Sequence, residues 1–360
     1  MSSNWEQLAA DKRERLAKTI ALQWRMKELP RDDSVLDYPR TAGILSEGEL
    51  EITELSATQL VSKLASNRLS AVETNCVHEF FPEAALAQAK ELDDCGSMRE
   101  AISNRLEQYT TESKGYETSM GYISFLGKYD KKDSVMTHLL RKAGTVFYVK
   151  TSVPQTLLVC ETVNNIIGTT TNPRNRHWSC GGSSGGEGVM LALRESVLGV
   201  GTDISRSIRV PAAFNYLYGL RPSHGRLAYA KMANSMEGQE TVHIVVGPIG
   251  HSVAGPSSSR SRGSLNPMFI PMPWRQSEAD VVRAKIHSGV LTVGVYSFDE
   301  NVLPHPPVLR EIRLAADALR KNGHTAVPWT PYKHDYGCEL VNRIWAVDAS
   351  TDVLKDIKAS

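Results

Sequence analysis

The sequence predicts an α/β protein, and three observations carry that prediction. The first is a strand–helix–strand unit in the C-terminal third. Leu291–Tyr296 reads as a strand, Val308, Ile312, Ala315 and Leu319 line one helix face closed by Asn322-Gly323, and Thr325–Trp329 reads as the next strand. That spacing implies a parallel pair joined by a crossover helix. The second is helical periodicity from Trp5 to Lys27, where Leu8, Ala9, Leu16, Ile20 and Leu22 recur among charges until Pro30 and Asp32-Asp33 end the segment. The third is the β-branched and aromatic run Thr145–Val149, which has the character of a buried strand.

The remaining elements follow in chain order. A helix is expected from Ser56 to Ser66, with Leu60, Val61 and Leu64 as its apolar stripe, and an Ala-rich one over Glu83–Leu92, opened by Pro82. Cys95–Lys114 turns polar and loses its periodicity after Leu106, so it reads as a loop or weak surface helix. A helix closes over Arg141–Gly144. Residues 170–186 read as a polar loop ending in Gly181-Gly182-Ser183-Ser184-Gly185-Gly186, and a helix over Glu187–Arg194 starts directly after those glycines. Thr241–Val246 is a further strand. Residues 254–267, AGPSSSRSRGSLNP, are low in complexity and read as a disordered linker or solvated loop.

Composition excludes several classes of function. The chain has 360 residues, 41 Lys+Arg against 40 Asp+Glu, and 41% hydrophobic content. This suffices for a sizeable core and gives no global basic field for nucleic acid. Five cysteines with no Cys-x-x-Cys pair do not make a disulfide framework, so a reducing, cytoplasmic setting is expected. No uninterrupted apolar stretch reaches the ~18 residues of a spanning helix, and the charges of residues 6–18 stand where a secretory signal would need its apolar core. The ten histidines form no ligand cluster and His78-Glu79 lacks a second histidine at zinc-binding spacing, so no metal or cofactor is expected.

Chemistry concentrates in residues 181–225. The glycine loop lacks the Gly-Lys-Ser/Thr ending of a phosphate loop. Gly182 to Gly186 spell Gly-x-Ser-x-Gly around Ser184, but a nucleophile elbow needs a buried strand before it, and Asn172–Cys180 is polar and contains a proline. Glycines around two serines suit another use: free N–H groups beside a helix start form an oxyanion pocket. A second serine-bearing turn follows at Thr202–Arg209 and enters the apolar run Val210–Phe214. Cys180, beside the loop, reads as a packed small residue rather than a reactive thiol, and Arg209 as a group that fixes the turn, with Asp203 its candidate partner.

GGSSGGEG, followed 24 residues after its first serine by the serine of TDISRSIRVPAAFN, resembles the amidase signature family. Lys150–Thr156 (KTSVPQT) ahead of the motif and Gly219-Leu220-Arg221-Pro222 after it extend the resemblance over most of the chain, closest to the fungal-type amidases and the fatty-acid amide hydrolase branch. It implies an α/β/α sandwich around a large mixed sheet, here residues 51–360 behind a helical extension, 1–50, that either docks on the domain or supports a homodimer. It also implies hydrolysis of a small-molecule amide through an acyl-serine, by a Ser–cis-Ser–Lys arrangement. In that arrangement Ser207 matches the nucleophile and Ser183 the bridging serine. The backbone N–H groups of Ile204, Ser205, Arg206 and Ser207 match the oxyanion hole, and Leu157 matches a substrate-contact position.

The chain departs from that pattern in several places. Residues 96–113 hold neither the proline nor the lysine of the family's Gly-x-Pro-x-x-x-Lys-Asp stretch, although Lys114–Gly121 matches the segment after it. Lys150 matches a different, structural lysine and reads as a solvated strand end; Lys114 is the nearest substitute base. The family's Ile-Gly-Gly-Ser turn is Ile204-Ser205-Arg206-Ser207, which predicts strain of about 1–2 kcal/mol if either position needs a positive φ, and a bulky cation in the path of the acyl group. The pattern also breaks at Val72–Cys76 and at 254–267, and the chain stops at Ser360 before the family's C-terminal elements, as altered splicing or a mis-assembled gene would leave it. Unpaired strand edges and exposed apolar faces are therefore expected. The alternative to an active amidase is a catalytically impaired amidase-fold protein.

Overall fold

The computed structural model describes residues 4–22, 31–54, 77–94, 115–142, 145–236, 239, 241–253, 275–288, 291–345, 347 and 350–358. They fall into two units, one of Met1–Pro271 with Asp352–Ser360 and one of Met272–Thr351.

The first unit begins with the helix Trp5–Thr19. It stops short of the sequence expectation because Ile20 turns to extended backbone (φ −87°, ψ 116°) and is itself buried. The helix docks rather than standing free. Ala9 is fully buried in a cluster with Ile123, Ile166 and Ile167, and Lys12, 4% exposed, pairs with buried Glu117 at 2.5 Å. The Ala-rich helix runs over Pro82–Asp94, with its proline at the first position as expected.

Strand boundaries differ from the local pattern where tertiary packing decides them. Thr145–Tyr148 is not a strand; β2 is Val149–Thr151, paired antiparallel with β1, Val77–Phe80. Phe147 and Tyr148 earn their apolar character by packing into two separate clusters instead of a ladder. After the short hairpin β3–β4 (Val163–Asn164, Gly168–Thr169), the polar stretch read as a loop contains another hairpin, β5 Thr171–Asn172 with β6 Asn175–Ser179. It lies at the surface, with Trp178 exposed, so neither face carries an apolar alternation.

The site rests on the layer that follows. The helix Gly185–Ala192 begins inside the glycine run, two residues earlier than the pattern suggests, and is buried from Gly185 to Leu191. β7 (Leu198–Asp203) pairs antiparallel with β9 (Val245–Gly250) from Leu198↔Gly250 to Asp203↔Val245, and β8 (Tyr218–Gly219) flanks β9 on the other side. Every residue of β7 and β9 is buried. The expected strand at Thr241–Val246 is thus displaced to 245–250, because the pairing with β7 continues through Gly247-Pro248. At Gly201 a Cβ would come within 2.6 Å of Ile208 Cγ1, so only glycine lets the turn after β7 fold back onto the strand.

In the second unit the strand–helix–strand read from the sequence is present. β10 (Thr292–Val295) and β11 (Thr325–Pro328) pair in parallel from Thr292↔Thr325 to Val295↔Pro328, connected by the helix Pro306–Lys321. Helices Gln276–His287 and His334–Trp345 complete it. The readings for Ser56–Ser66, Cys95–Lys114 and 254–267 lie outside the described residues. No described helix is long and apolar enough to cross a membrane.

Candidate active site

The glycine-rich loop is held on three sides. Thr162 Oγ1 donates to Gly181 O at 2.8 Å, Asn215 Nδ2 donates to Cys180 O at 2.8 Å, and Ser184 N donates to Ser207 O at 3.2 Å. Gly181 has φ +79°, and a Cβ there would stand 3.0 Å from the backbone of Pro211. The peptide between Gly182 and Ser183 is cis. Ser184 is not an elbow nucleophile: its hydroxyl is fully buried and lies against the Thr202 backbone, 3.3 Å from N and 3.4 Å from O. A strand, β6, does precede it, but as a half-exposed surface strand rather than the buried one an elbow needs.

The second turn is built on Asp203, which sequence reading placed beside Arg209. The Asp203 carboxylate is fully buried and accepts from Ile208 N (3.2 Å), Arg209 Nε (3.0 Å) and Arg221 Nε (3.4 Å). Arg209 also donates to Ser205 O. Charge-assisted bonds of this kind fix the backbone on the far side of Ser207. For the backbone N–H groups of Ile204, Ser205, Arg206 and Ser207, no acceptor is found among the described residues. Four adjacent donors without a structural acceptor are what an oxyanion site requires.

Ser183 and Ser207, 2% and 6% exposed, line one cleft together with Leu157, Ile204, Thr202, Tyr229 and Ile244. The cleft holds only about 20 Å³, roughly the space of one water. Two expectations about the turn are corrected here. Neither Ser205 nor Arg206 has a positive φ, so replacing the family glycines brings no left-handed strain. The Arg206 side chain is exposed and does not line the cleft, so it does not obstruct an acyl group. Leu157 does line it, and with Thr156 it adopts positive φ (62° and 76°). A left-handed pair of non-glycine residues stores about 1–3 kcal/mol per residue and clusters at ligand sites. Thr156 and Thr202, from the motif segments, also form the wall, together with Leu158, Tyr229, Asn234, Met236 and Ile244, which the sequence did not single out. The latter come from separate segments with no shared motif, and only the fold assembles them.

The neighbouring titratable groups sort clearly. Lys150 is fully buried, not solvated as its strand-end position suggested. Its ammonium donates to Thr118 Oγ1 (2.5 Å), Glu117 O (3.2 Å) and Asp130 Oδ2 (3.3 Å), which commits all three of its protons. Lys114 lies outside the described residues. Burial pushes the Cys180 thiol up to about 12, so it stays protonated and inert. Among the described residues no three His, Cys, Asp or Glu side chains are grouped to hold a metal.

Residues 61–359 match the protein family described as Amidase. The chain is 59% identical to an acetamidase of Emericella nidulans over 100% of its own length and 71% of that protein's. It is 51% identical to an acetamidase of Aspergillus oryzae, again over 100% of this chain and 71% of the relative. Among solved structures it superposes on a fatty acid amide hydrolase with a TM-score of 0.90 at 31% identity, covering 99% of this chain and 68% of that one.

Proposed function

This chain belongs to the amidase signature family, whose members are amide hydrolases, and on that premise we propose that it cleaves a carboxylic amide through an acyl-Ser207 intermediate. The observation that carries the reading is Ser207 sharing a narrow cleft with Ser183 at the end of four N–H groups that have no structural acceptor among the described residues. In the proposed reaction Ser207 Oγ attacks the amide carbon as its proton passes to Ser183, which hands its own hydroxyl proton to a neutral base, and the oxyanion forms against the Ile204–Ser207 N–H groups. Ser183 relays a proton to the departing nitrogen, which leaves as ammonia or an amine, and water then releases the acid from Ser207. In the family a neutral lysine supports this relay. Lys150 is too fully bonded to serve, which leaves Lys114 as the lysine to test. The small cleft and the two acetamidase relatives favour a short acyl group such as acetyl.

The test is ammonia release from acetamide together with labelling by a fluorophosphonate. Ser207→Ala is expected to lose at least about 10³-fold in kcat/KM and all labelling. Ser183→Ala is expected to slow both without changing the fold, and Lys114→Met to slow hydrolysis if that lysine is the base. A folded wild-type protein that is neither labelled nor active would favour the impaired-protein alternative, to which the likeness to acetamidases lends no support.

A further inference from the structure

A second cavity adjoins the Ser207 cleft. It holds about 420 Å³ against about 20 Å³ for the cleft, and the two share Tyr229, Asn234, Met236 and Ile244 as a common wall. A space of that size takes a small organic group. We propose that this cavity is a second subsite, which receives the amine portion of the amide as an uncharged, hydrogen-bonding substituent. The proposal rests on the amidase reading above and deepens it by naming the substrate class.

Three observations point this way. First, the chemistry separates the two halves of the substrate. The acyl carbon must lie at Ser207, in the narrow cleft, while the amine must leave toward space. The larger cavity supplies that space, and its rim residues His224 and His243 are exposed to solvent. Second, its wall offers polar groups that the fold does not use. No hydrogen bond to the Tyr229 hydroxyl is found among the described residues, and burial pushes that phenol's pKa up, so it remains a donor. Among the described residues the Gln239 side chain is held by a 3.5 Å contact from Nε2 to Thr241 Oγ1 and its Oε1 has no partner, so its amide can turn to a ligand. Third, among the described residues the lining carries no carboxylate, and Tyr229, Asn234 and Gln239 offer it uncharged hydrogen-bonding groups. The His224 and His243 rings stack at 3.9 Å, and partial burial, His243 and Arg221 hold His224 below its ordinary value, so His224 is a neutral face at pH 8.

The test compares acetamide, which needs only the cleft, with N-(4-hydroxyphenyl)acetamide, which places a neutral phenol in the cavity. Wild type is expected to favour the anilide in kcat/KM. Val242→Trp, which fills the cavity, is expected to lower the anilide-to-acetamide ratio of kcat/KM at least tenfold, chiefly through the anilide's KM. Gln239→Leu, a milder change, should lower it three- to fivefold. A ratio unchanged in both variants overturns the subsite. Binding of the amine product, 4-aminophenol, is measured separately by calorimetry on Ser207→Ala protein with and without Val242→Trp. Binding that weakens tenfold or more in the double variant supports the cavity even if no amide is hydrolysed. Binding that is absent, or unaffected by Val242→Trp, overturns it. A wild type that turns over neither amide while 4-aminophenol still binds would sink the proposed function and leave the subsite standing.

Discussion

The two units of this chain use the same α/β vocabulary and bury it very differently. In the first, β7 and β9 are buried at every residue and the helix Gly185–Ala192 from its first residue to Leu191. In the second, β10 and β11 alternate between half-buried and exposed residues, and Ala316 is the one buried residue of the helix Pro306–Lys321. On that helix Val308 and Leu314 are 50% and 54% exposed. The difference shows where a site can be built. Ser183 and Ser207 are placed by backbone segments wedged between covered layers, and close packing turns those segments into fixed geometry. A strand pair with uncovered faces has no such constraint.

If this contrast is right, substitutions of similar kind should have very different costs in the two units. The largest is expected at Lys150. Lys150→Met takes the ammonium away from the Asp130 carboxylate, the Thr118 hydroxyl and the Glu117 carbonyl, and breaking a largely buried pair in this way costs about 3–5 kcal/mol. Arg320→Ala removes the exposed pair with Asp317 in the second unit and should cost no more than about 0.5 kcal/mol. Urea midpoints for the two variants check this, and equal losses would break the comparison. Next comes Leu191→Ala, which empties a fully buried position packed with Ile208, Ala212 and Ile249 and should cost about 2–5 kcal/mol.

His251 provides a test of the first unit that needs no mutation. Burial, and then the charge of Arg194, lower its pKa to about 4. Since the unfolded chain titrates near 6.5, it binds more protons than the folded one between these values. The stabilisation is therefore complete above about pH 6.5 and is lost as pH falls toward 4, by about 2–3 kcal/mol. His251→Gln should flatten that part of the stability curve, and an unaltered slope would show that the imidazole is already solvated.

The same contrast explains what was legible in the sequence. In the strand–helix–strand of the second unit, the limits follow the local pattern to within a residue or two, whereas the helices Gln276–His287 and His334–Trp345 were not expected from it. In the first, Thr145–Tyr148 carries strand-like residues that pack without pairing, and β9 runs on through Gly247-Pro248 because β7 lies beside it. Ser183, Ser207, Leu157 and Ile204 could be read from a motif because their spacing is contiguous and chemical. The cavity walls at Tyr229, Asn234 and Ile244 could not, since an apolar or polar residue in a loop carries no mark of the surface it will face. Lys150 was misjudged for a related reason: the partners that bury its charge, Thr118 and Asp130, lie 32 and 20 residues away.

The smallest expected effect lies on the uncovered helix. Leu314→Gln replaces a side chain that is about half exposed, so stability should change by no more than about 0.5 kcal/mol. Its consequence should be colloidal instead. Val308 and Leu314 on this helix, with Val327 and Trp329 at β11, are exposed apolar surface in a chain of net charge +1, and neither feature opposes association. Sedimentation over a range of micromolar concentrations should show less self-association for Leu314→Gln than for the parent, at an unchanged urea midpoint. A loss of 2 kcal/mol or more with no change in association would mean that this face is covered in solution, and the second unit would then belong with the first.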